Sequence, residues 1–168
     1  EGVDRMGFSL YFMRIENDKG LDADRDAVAA FLDQRGLRVH PSSQLVDSQD
    51  QALKFDGVYT ELTLDPLDQS EPLTGCIHHA TLSAAECAFI YDLCAAAGFL
   101  IVSPQGNPTY LVPNRNHDPD DVSVLEGVVW IDSAEELQQA LFGGFEAFRR
   151  FVEQVRSVGG PAAETPPR

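Results

Sequence analysis

Two adjacent histidines, His78 and His79, are the residues of this chain that could most directly do chemistry. Imidazole nitrogens bind zinc and exchange protons near neutral pH. Neighbouring side chains of a strand project to opposite faces, so the two rings cannot bind one ion unless the strand breaks there. We therefore predict no metal site. An alternative is a ligand pocket between the sheet and the 39–50 loop, lined by His78, His79 and Tyr59.

Three cysteines could also do chemistry, but their spacing argues against it. Cys76, Cys87 and Cys94 are separated by eleven and seven positions, whereas a zinc knuckle or a thioredoxin-like site needs Cys-x-x-Cys. Cys87 and Cys94 share one face of a predicted helix with Ile90 and Tyr91. We predict that these thiols pack in an apolar core, where a small thiol behaves as a hydrophobic group.

Acidic residues dominate the charge of the chain. Among its 168 residues, 27 Asp and Glu stand against 12 Lys and Arg, which gives a net charge of −15. This charge argues against nucleic acid and anionic lipid as ligands. Residues 47–92 hold nine acids and one base, Lys54, and so carry a net charge of −8. A second acidic cluster follows His117.

This distribution favours docking on a basic protein partner, because complementary charge speeds association and excludes wrong partners. A solvated surface that keeps the protein soluble is the alternative interpretation. The predicted docking residues are Asp47, Asp50, Asp56, Glu61, Asp65, Asp68, Glu71, Asp118, Asp120 and Asp121.

The sequence contains no motif of a known catalytic or cofactor site. It lacks a G-x-S-x-G elbow, a phosphate loop and G-x-G-x-x-G, and the 117–121 loop lacks the Asp spacing of an EF-hand. We therefore predict no cofactor and favour a non-catalytic protein, while an enzyme with a histidine pocket stays open. No apolar run approaches the roughly 20 residues that span a bilayer, so we predict a cytoplasmic protein without a membrane partner.

Hydrophobic spacing and turn residues predict the strands that position these groups. An apolar run over 8–15 predicts a central or nearly central strand, and 55–65 and 75–82 predict an antiparallel pair. The other predicted strands are 99–102, 109–112 and 127–131, and the predicted loops are 16–20 and 39–50.

Capping residues predict three helices. The first begins after Asp22 or Asp24 and ends at Gly36. The second covers 84–97, where Ser83 and Glu86 have the spacing of a capping box. A third helix follows a second capping box at Ser133, and its paired glycines at 143–144 predict a kink or a split.

This order predicts an α+β fold with a ferredoxin-like βαββαβ core, an additional C-terminal strand or hairpin, and a closing helix. We expect a single domain over residues 1–158 and a flexible C-terminal tail over 159–168, which is rich in Pro and Ala. Ferredoxin-like sheets have one open side, so a homo-oligomer formed through that face is a further hypothesis.

One segment resembles a known kind of protein. The run AAECAFIYDLCAAAGFLIVSPQ, residues 84–105, together with the aromatic strand FSLYF at 8–12, resembles small uncharacterised bacterial proteins over about a third of the chain. Some small acidic proteins of this kind are encoded beside polymorphic toxins and act as immunity proteins. The resemblance therefore implies an inhibitor that docks on a basic toxin domain, and it implies no functional residues.

Overall fold

The computed structural model describes residues 7–104, 108–118, 121 and 127–159. These residues form a mixed α+β structure with a mainly sheet core and three helices. Asp120 and most of the predicted tail, residues 160–168, lie outside the described residues. In chain order, the elements are β1 Leu10–Glu16, β2 Lys19–Leu21, α1 Arg25–Gln34, β3 Arg38–Val39, β4 Leu45–Val46, β5 Leu62–Leu64, β6 Gly75–Ile77, α2 Ala84–Ala97, β7 Leu100–Val102, β8 Tyr110–Pro113, β9 Val128–Ile131 and α3 Ala134–Gly159.

The main sheet has the strand order β5-β6-β1-β7-β8-β9, and β2 adds a short hairpin to β1. Strand β1 lies between β6 and β7 and runs antiparallel to both, which confirms that the first apolar run is a central strand. Strands β5 and β6 form the predicted antiparallel pair. Strand β9 differs from the others because it runs parallel to its neighbour β8.

The two faces of the sheet are covered differently. Leu10 and Phe12 of β1 are fully buried and belong to the main core, which also contains the buried side chains of α1, α2 and α3. On the opposite face, Leu100 and Val112 centre a second, smaller cluster. None of the helix residues that the structure describes belongs to this second cluster, and Tyr11 on the same face is 36% exposed.

Local capping explains where the first two helices begin and end. The Asp24 carboxylate accepts a hydrogen bond from the Ala27 N–H at 3.1 Å, and Ser83 Oγ accepts one from the Glu86 N–H at 3.2 Å. Helix α2 ends at Gly98, whose φ of 78° is readily adopted by glycine. The predicted extent of α2 is therefore confirmed, whereas α1 begins after one of its two predicted caps, Asp24, and ends two residues before its predicted stop.

Glu86 does not complete the predicted capping box. Its carboxylate accepts hydrogen bonds from the backbone N–H groups of Thr81 and Leu82, at 3.0 Å and 2.8 Å, instead of reaching back to Ser83. Leu82 has a φ of 59°, and this turn presents both N–H groups to the carboxylate. Glu86 is fully buried, and burial raises its pKa against the opposing effect of these hydrogen bonds.

Three sequence-based expectations about loops and strands are wrong. The 39–50 segment is not a plain loop, because β4 pairs with β3 and buries Leu45 and Val46. The predicted 55–65 strand is reduced to β5, since Glu61, at a φ of 57°, interrupts the extended backbone. The 16–20 segment is a hairpin turn into β2, with left-handed φ values at residues 17 and 18.

Helix α3 runs without a break through Gly143 and Gly144, so the predicted split is wrong. Each interior glycine costs about 1 kcal/mol relative to alanine, and packing on the core side offsets that cost. Leu137 and Leu141 are buried there, and the Phe145 ring meets Phe8 edge to face at 5.3 Å. Across the residues that the structure describes, no helix combines the length and apolar character needed to cross a membrane.

Candidate functional site

The loop between β5 and β6, residues 66–73, is the most tightly organised acidic segment of the predicted docking region. Arg25, at the start of α1, holds it in place by donating hydrogen bonds to three backbone carbonyls. The carbonyl oxygens of Leu67 and Glu71 lie 2.9 Å and 2.6 Å from the guanidinium, and that of Gln69 is the third acceptor. One guanidinium therefore ties together three backbone positions of the 66–73 loop.

Two carboxylates hold the ends of the 66–73 loop. Asp22 accepts hydrogen bonds from the Leu73 N–H at 3.0 Å and from Arg25 Nε at 2.9 Å, and the bond from Leu73 is the main cause that lowers the pKa of Asp22. Asp65 accepts from both the N–H and the hydroxyl of Thr74, each at 2.9 Å. Asp65 was predicted to contact a partner, but its carboxylate already has these structural hydrogen bonds.

The 66–73 loop displays two predicted docking residues whose carboxylates remain available to a partner. Asp68 and Glu71 are exposed, and neither carboxylate has a hydrogen bond or an ion pair with any other residue described in the structure. Because the backbone on either side of them is fixed by Arg25, these carboxylates project from a rigid support. A loop whose backbone is already ordered loses less conformational entropy when it binds a partner.

A surface pocket of about 370 Å³ adjoins Asp68. Most of its lining is apolar and comes from the 66–73 loop and from the segment after β3. Polar groups are contributed by Asp68 and by His40, whose Nδ1 accepts a hydrogen bond from the Ser42 N–H at 3.1 Å. The lining residues are Val39, His40, Pro41, Pro66, Leu67 and Asp68. The pocket beside the 39–50 segment is therefore lined by His40, and not by His78 or His79.

The other predicted acids of the docking region have different surroundings. Asp47 accepts hydrogen bonds from two backbone N–H groups of its own turn, at 2.8 Å and 2.9 Å. Asp50 forms an ion pair with Arg38. Asp56 is exposed, has a left-handed φ of 53°, and forms no ion pair with the described part of the chain. Much of the predicted acidic surface is thus used to shape turns.

The second acidic cluster stands apart from the 66–73 loop. Asp121 accepts a hydrogen bond from the Asp118 N–H at 2.8 Å through its side chain, and from the Asp18 N–H through its backbone carbonyl. Asp120 lies outside the described residues. Within the residues that are described, no hydrogen bond or ion pair joins Asp118 or Asp121 to the 66–73 loop. The structure therefore gives no direct link between the two clusters.

Strand β6 ends at Ile77, so the two adjacent histidines lie beyond the strand, and each contacts a different partner. His78 Nε2 lies 3.3 Å from Cys76 Sγ, which also contacts a threonine hydroxyl of β5 at 3.2 Å. His79 Nε2 lies 3.3 Å from Glu61 Oε1. Within residues 7–104, 108–118, 121 and 127–159, no three His, Cys, Asp or Glu side chains are grouped so that they could hold a metal ion.

Tyr59 completes the set of residues predicted for a histidine pocket. It is 38% exposed, and partial burial together with the nearby charge of Glu61 raises the pKa of its hydroxyl. Burial also raises the pKa of Cys76, and the negative charges of Glu61 and Asp65 raise it further. Raised pKa values disfavour the phenolate and the thiolate at neutral pH, so neither group is activated as a nucleophile.

Cys87 and Cys94 have the packing role predicted for them. Both are buried free thiols of α2, with 1% and 0% of their surface exposed. Burial raises the pKa of Cys87 to about 12 and that of Cys94 well above its usual value. These thiols therefore behave as small apolar side chains in the core.

His117 has a structural role that the sequence did not indicate. Its Nε2 accepts a hydrogen bond from the Ile15 N–H of β1 at 3.1 Å, and its Nδ1 lies 2.6 Å from Asn116 Oδ1. Burial lowers the pKa of His117, which favours the neutral ring that these hydrogen bonds require. Arg25 was missed as well: its spacing from Asp22 is visible in the sequence, but its carbonyl acceptors are more than 40 residues away.

Any role for the 66–73 loop has to be inferred from its geometry and charge. A partner that approaches this side of the protein meets two exposed carboxylates, a fixed backbone and a mainly apolar pocket. In comparisons with known proteins, no family model, curated protein or solved structure matches this chain.

Proposed function

We propose that this protein is a non-catalytic binding protein that docks on a basic protein partner through the 66–73 loop and the adjacent pocket. The observation that carries the proposal is the pair of exposed carboxylates of Asp68 and Glu71, which have no ion pair with any described residue and which project from a loop fixed by Arg25. Unpaired surface charges favour association with a partner of opposite charge.

The pocket suits a lysine or arginine side chain of the partner. The aliphatic stem of such a side chain can lie against Val39 and Leu67, while its charged head reaches the Asp68 carboxylate. Glu71 lies three residues further along the 66–73 loop and offers a second acceptor for a neighbouring basic group. An arginine would gain the most, since its planar guanidinium can bind a carboxylate through two hydrogen bonds.

The protein has few cations of its own to compete with such a partner. Five arginines already contact carboxylates of the chain. The excess of acids over bases therefore remains available as a negative field that attracts a basic protein. A toxin domain inhibited by an immunity protein is one partner of this kind, and a cytoplasmic location suits the three free thiols.

Affinity capture with matched variants tests the proposal. The full chain, an Asp68→Asn/Glu71→Gln variant and a Glu16→Gln/Asp33→Asn variant would each be immobilised and exposed to a lysate of the source organism. Each variant loses two negative charges, and the four replaced residues are all exposed. We expect one basic protein to bind the wild type and the control, and to bind the Asp68→Asn/Glu71→Gln variant about tenfold more weakly, as the loss of two ion pairs implies.

Titration with the purified partner then separates docking from general charge attraction. Affinity should fall as the salt concentration rises, since the contacts are between exposed charges. Equal weakening by the two variants would mean that only net charge matters and would remove the 66–73 loop from the proposal. Binding that is indifferent to salt, or the absence of any basic partner, would overturn the proposal itself.

A second candidate function is chemistry or ligand binding at the histidine region, and the contact between Cys76 Sγ and His78 Nε2 at 3.3 Å favours it. A catalytic pair would speed alkylation of Cys76 by iodoacetamide, and His78→Ala would abolish that acceleration. The raised pKa of Cys76 leads us to expect slow alkylation that is unchanged in the variant. Fast, His78-dependent alkylation would therefore favour this second function over docking.

We also propose that the core is ferredoxin-like. Strands β5, β6, β1 and β7 are adjacent in that order, and each neighbouring pair is antiparallel. Helix α1 lies between β1 and β5 in the chain, and α2 lies between β6 and β7. This arrangement supports a split βαβ core, to which β8, β9 and α3 are additions.

A further inference from the structure

The far edge of the sheet, opposite to β5, is formed by β9. Within the part of the chain that the structure describes, no strand pairs with the outer side of β9. The Gly127 carbonyl accepts a hydrogen bond from the Tyr110 N–H, and the Ile131 carbonyl accepts one from the Asn114 N–H, both on the β8 side. Because backbone groups alternate along a parallel strand, the N–H and C=O groups of Val128 and Trp130 point away from β8.

A groove of about 480 Å³ runs beside this edge, between β9 and helix α3. One wall is the strand from Val129 to Ile131, and the other is formed by Glu136, Gln139 and Ala140 of α3. The Trp130 side chain at the groove is 38% exposed. An open strand edge beside a helix has the geometry in which an extended peptide can add a further strand to a sheet.

Strand β9 also lacks the features that usually protect an edge. Its sequence, Val-Val-Trp-Ile, contains no charged residue and no proline, and its four residues keep regular register with β8. Lysine, proline or a bulge commonly blocks pairing at exposed edges. Their absence from β9 leaves the outward backbone groups suited to pair with another strand.

We propose that the groove between β9 and α3 binds an extended, basic segment of a partner protein by strand addition to β9. The charge around the groove favours this occupant. Glu136 lines the groove and accepts a hydrogen bond from the Asp132 N–H, and Glu135 is its neighbour in the chain; Arg115 forms an ion pair with Asp132, so these four residues carry a net charge of −2. An extended segment with alternating basic residues would pair with the backbone of β9 and place its charges near these carboxylates.

A second copy of the chain is a poorer occupant. Two copies that paired through β9 would bring two chains of −15 together, and their negative charges would repel. This site is separate from the 66–73 loop, which lies next to β5 at the other edge of the sheet. The two sites can therefore succeed or fail independently.

Peptide selection tests the inference without knowledge of the natural partner. A phage-displayed library of random twelve-residue peptides would be selected on the immobilised full chain at low ionic strength. The strongest binder would be synthesised with N-methyl groups on its odd residues, on its even residues or on none. Only every second residue of an added strand directs its N–H toward β9, so we expect one methylated peptide to bind at least about tenfold more weakly and the other to bind nearly normally.

Two matched variants locate the peptide. Gln139→Lys adds bulk and positive charge within the groove, whereas Gln154→Lys makes the same change about 22 Å further along α3. Both glutamines are exposed, so both variants should fold, which urea denaturation would check. We expect Gln139→Lys to weaken binding about tenfold and Gln154→Lys to leave it within about twofold.

Several outcomes would overturn the inference. A library that yields no binder, or selected peptides without basic residues, would reject a basic segment as the occupant. Equal weakening by odd and even N-methylation would mean that the peptide is not held as a strand. A dimer in sedimentation velocity that Gln139→Lys dissociates would identify a second copy as the occupant instead.

Discussion

Replacing Arg25 tests whether one guanidinium really fixes the 66–73 loop. Arg25→Lys keeps the positive charge beside Asp22 but loses the planar fork that reaches the carbonyls of Leu67, Gln69 and Glu71. Arg25→Met keeps a similar apolar stem and removes every donor. The two variants together separate the contribution of charge from the contribution of directed hydrogen bonds.

The expected magnitude follows from the surroundings of Arg25. Its side chain is 23% exposed, and its bonds to Leu67 and Gln69 are partly buried, so we take about 1 kcal/mol for each of these. The bond to Glu71 lies at the surface and adds about 1 kcal/mol. Arg25→Met should therefore lower the free energy of unfolding by about 3 kcal/mol. Arg25→Lys should lower it by about 1–2 kcal/mol, since the lysine ammonium can donate to only some of the three carbonyls.

Urea denaturation followed by circular dichroism would measure these differences. Arg38→Met is the matched control, because Arg38 is 50% exposed in its ion pair with Asp50 and should change stability by less than about 0.5 kcal/mol. If Arg25→Lys were as stable as the wild type, directed bonds to the carbonyls would not be needed and our account of the 66–73 loop would be refuted. Equal losses for Arg25→Met and Arg38→Met would refute it too.

Three further predictions concern Glu86, His117 and Gly7. The raised pKa of Glu86 makes folding favour its protonated form, so the stability of the wild type relative to Glu86→Gln should fall as the pH rises above 4.5 in urea titrations; a constant difference would contradict this. The lowered pKa of His117 makes folding favour its neutral form. The stability of the wild type relative to His117→Gln should therefore fall as the pH drops below 6.5, and a difference that grows would contradict this. Gly7→Ala should cost about 2 kcal/mol, because a Cβ there would lie 2.1 Å from the His78 carbonyl oxygen, whereas Gly20→Ala has open space and should be nearly neutral in thermal unfolding.

Elements whose signals are local could be predicted from the sequence. Helix α2 is the clearest example, because Ser83 and Gly98 both act within one turn of the helix they bound. The antiparallel pairing of β5 and β6 was also predicted, since only a short acidic connection separates two apolar runs. By contrast, the break at Glu61 depends on left-handed backbone angles, which the alternating apolar and polar residues of this segment do not indicate.

Most of the candidate site could not be predicted, because its contacts join residues that are far apart in the chain. Arg25 reaches carbonyls 42 to 46 positions away, and His117 meets the backbone of Ile15 across 102 positions. A backbone carbonyl is the same group in every residue, so no residue type indicates which carbonyls accept these hydrogen bonds. The acids were visible in the sequence, but which ones are available to a partner depends on these distant contacts.

The position of Arg25 bears on why net charge alone is a poor guide to function here. In a chain with more than twice as many acids as bases, Arg25 forms its ion pair with Asp22 and otherwise binds backbone carbonyls, so it forms no ion pair with Asp68 or Glu71. A surface selected only for solubility would need no such support, because carboxylates on a mobile loop repel other molecules equally well. A surface selected for docking benefits from an ordered backbone beneath its carboxylates, since the entropy of ordering that backbone is lost on folding and not on binding. The comparison of Asp68→Asn/Glu71→Gln with Glu16→Gln/Asp33→Asn distinguishes these two cases, because both variants have the same charge and differ in whether a fixed pair is removed.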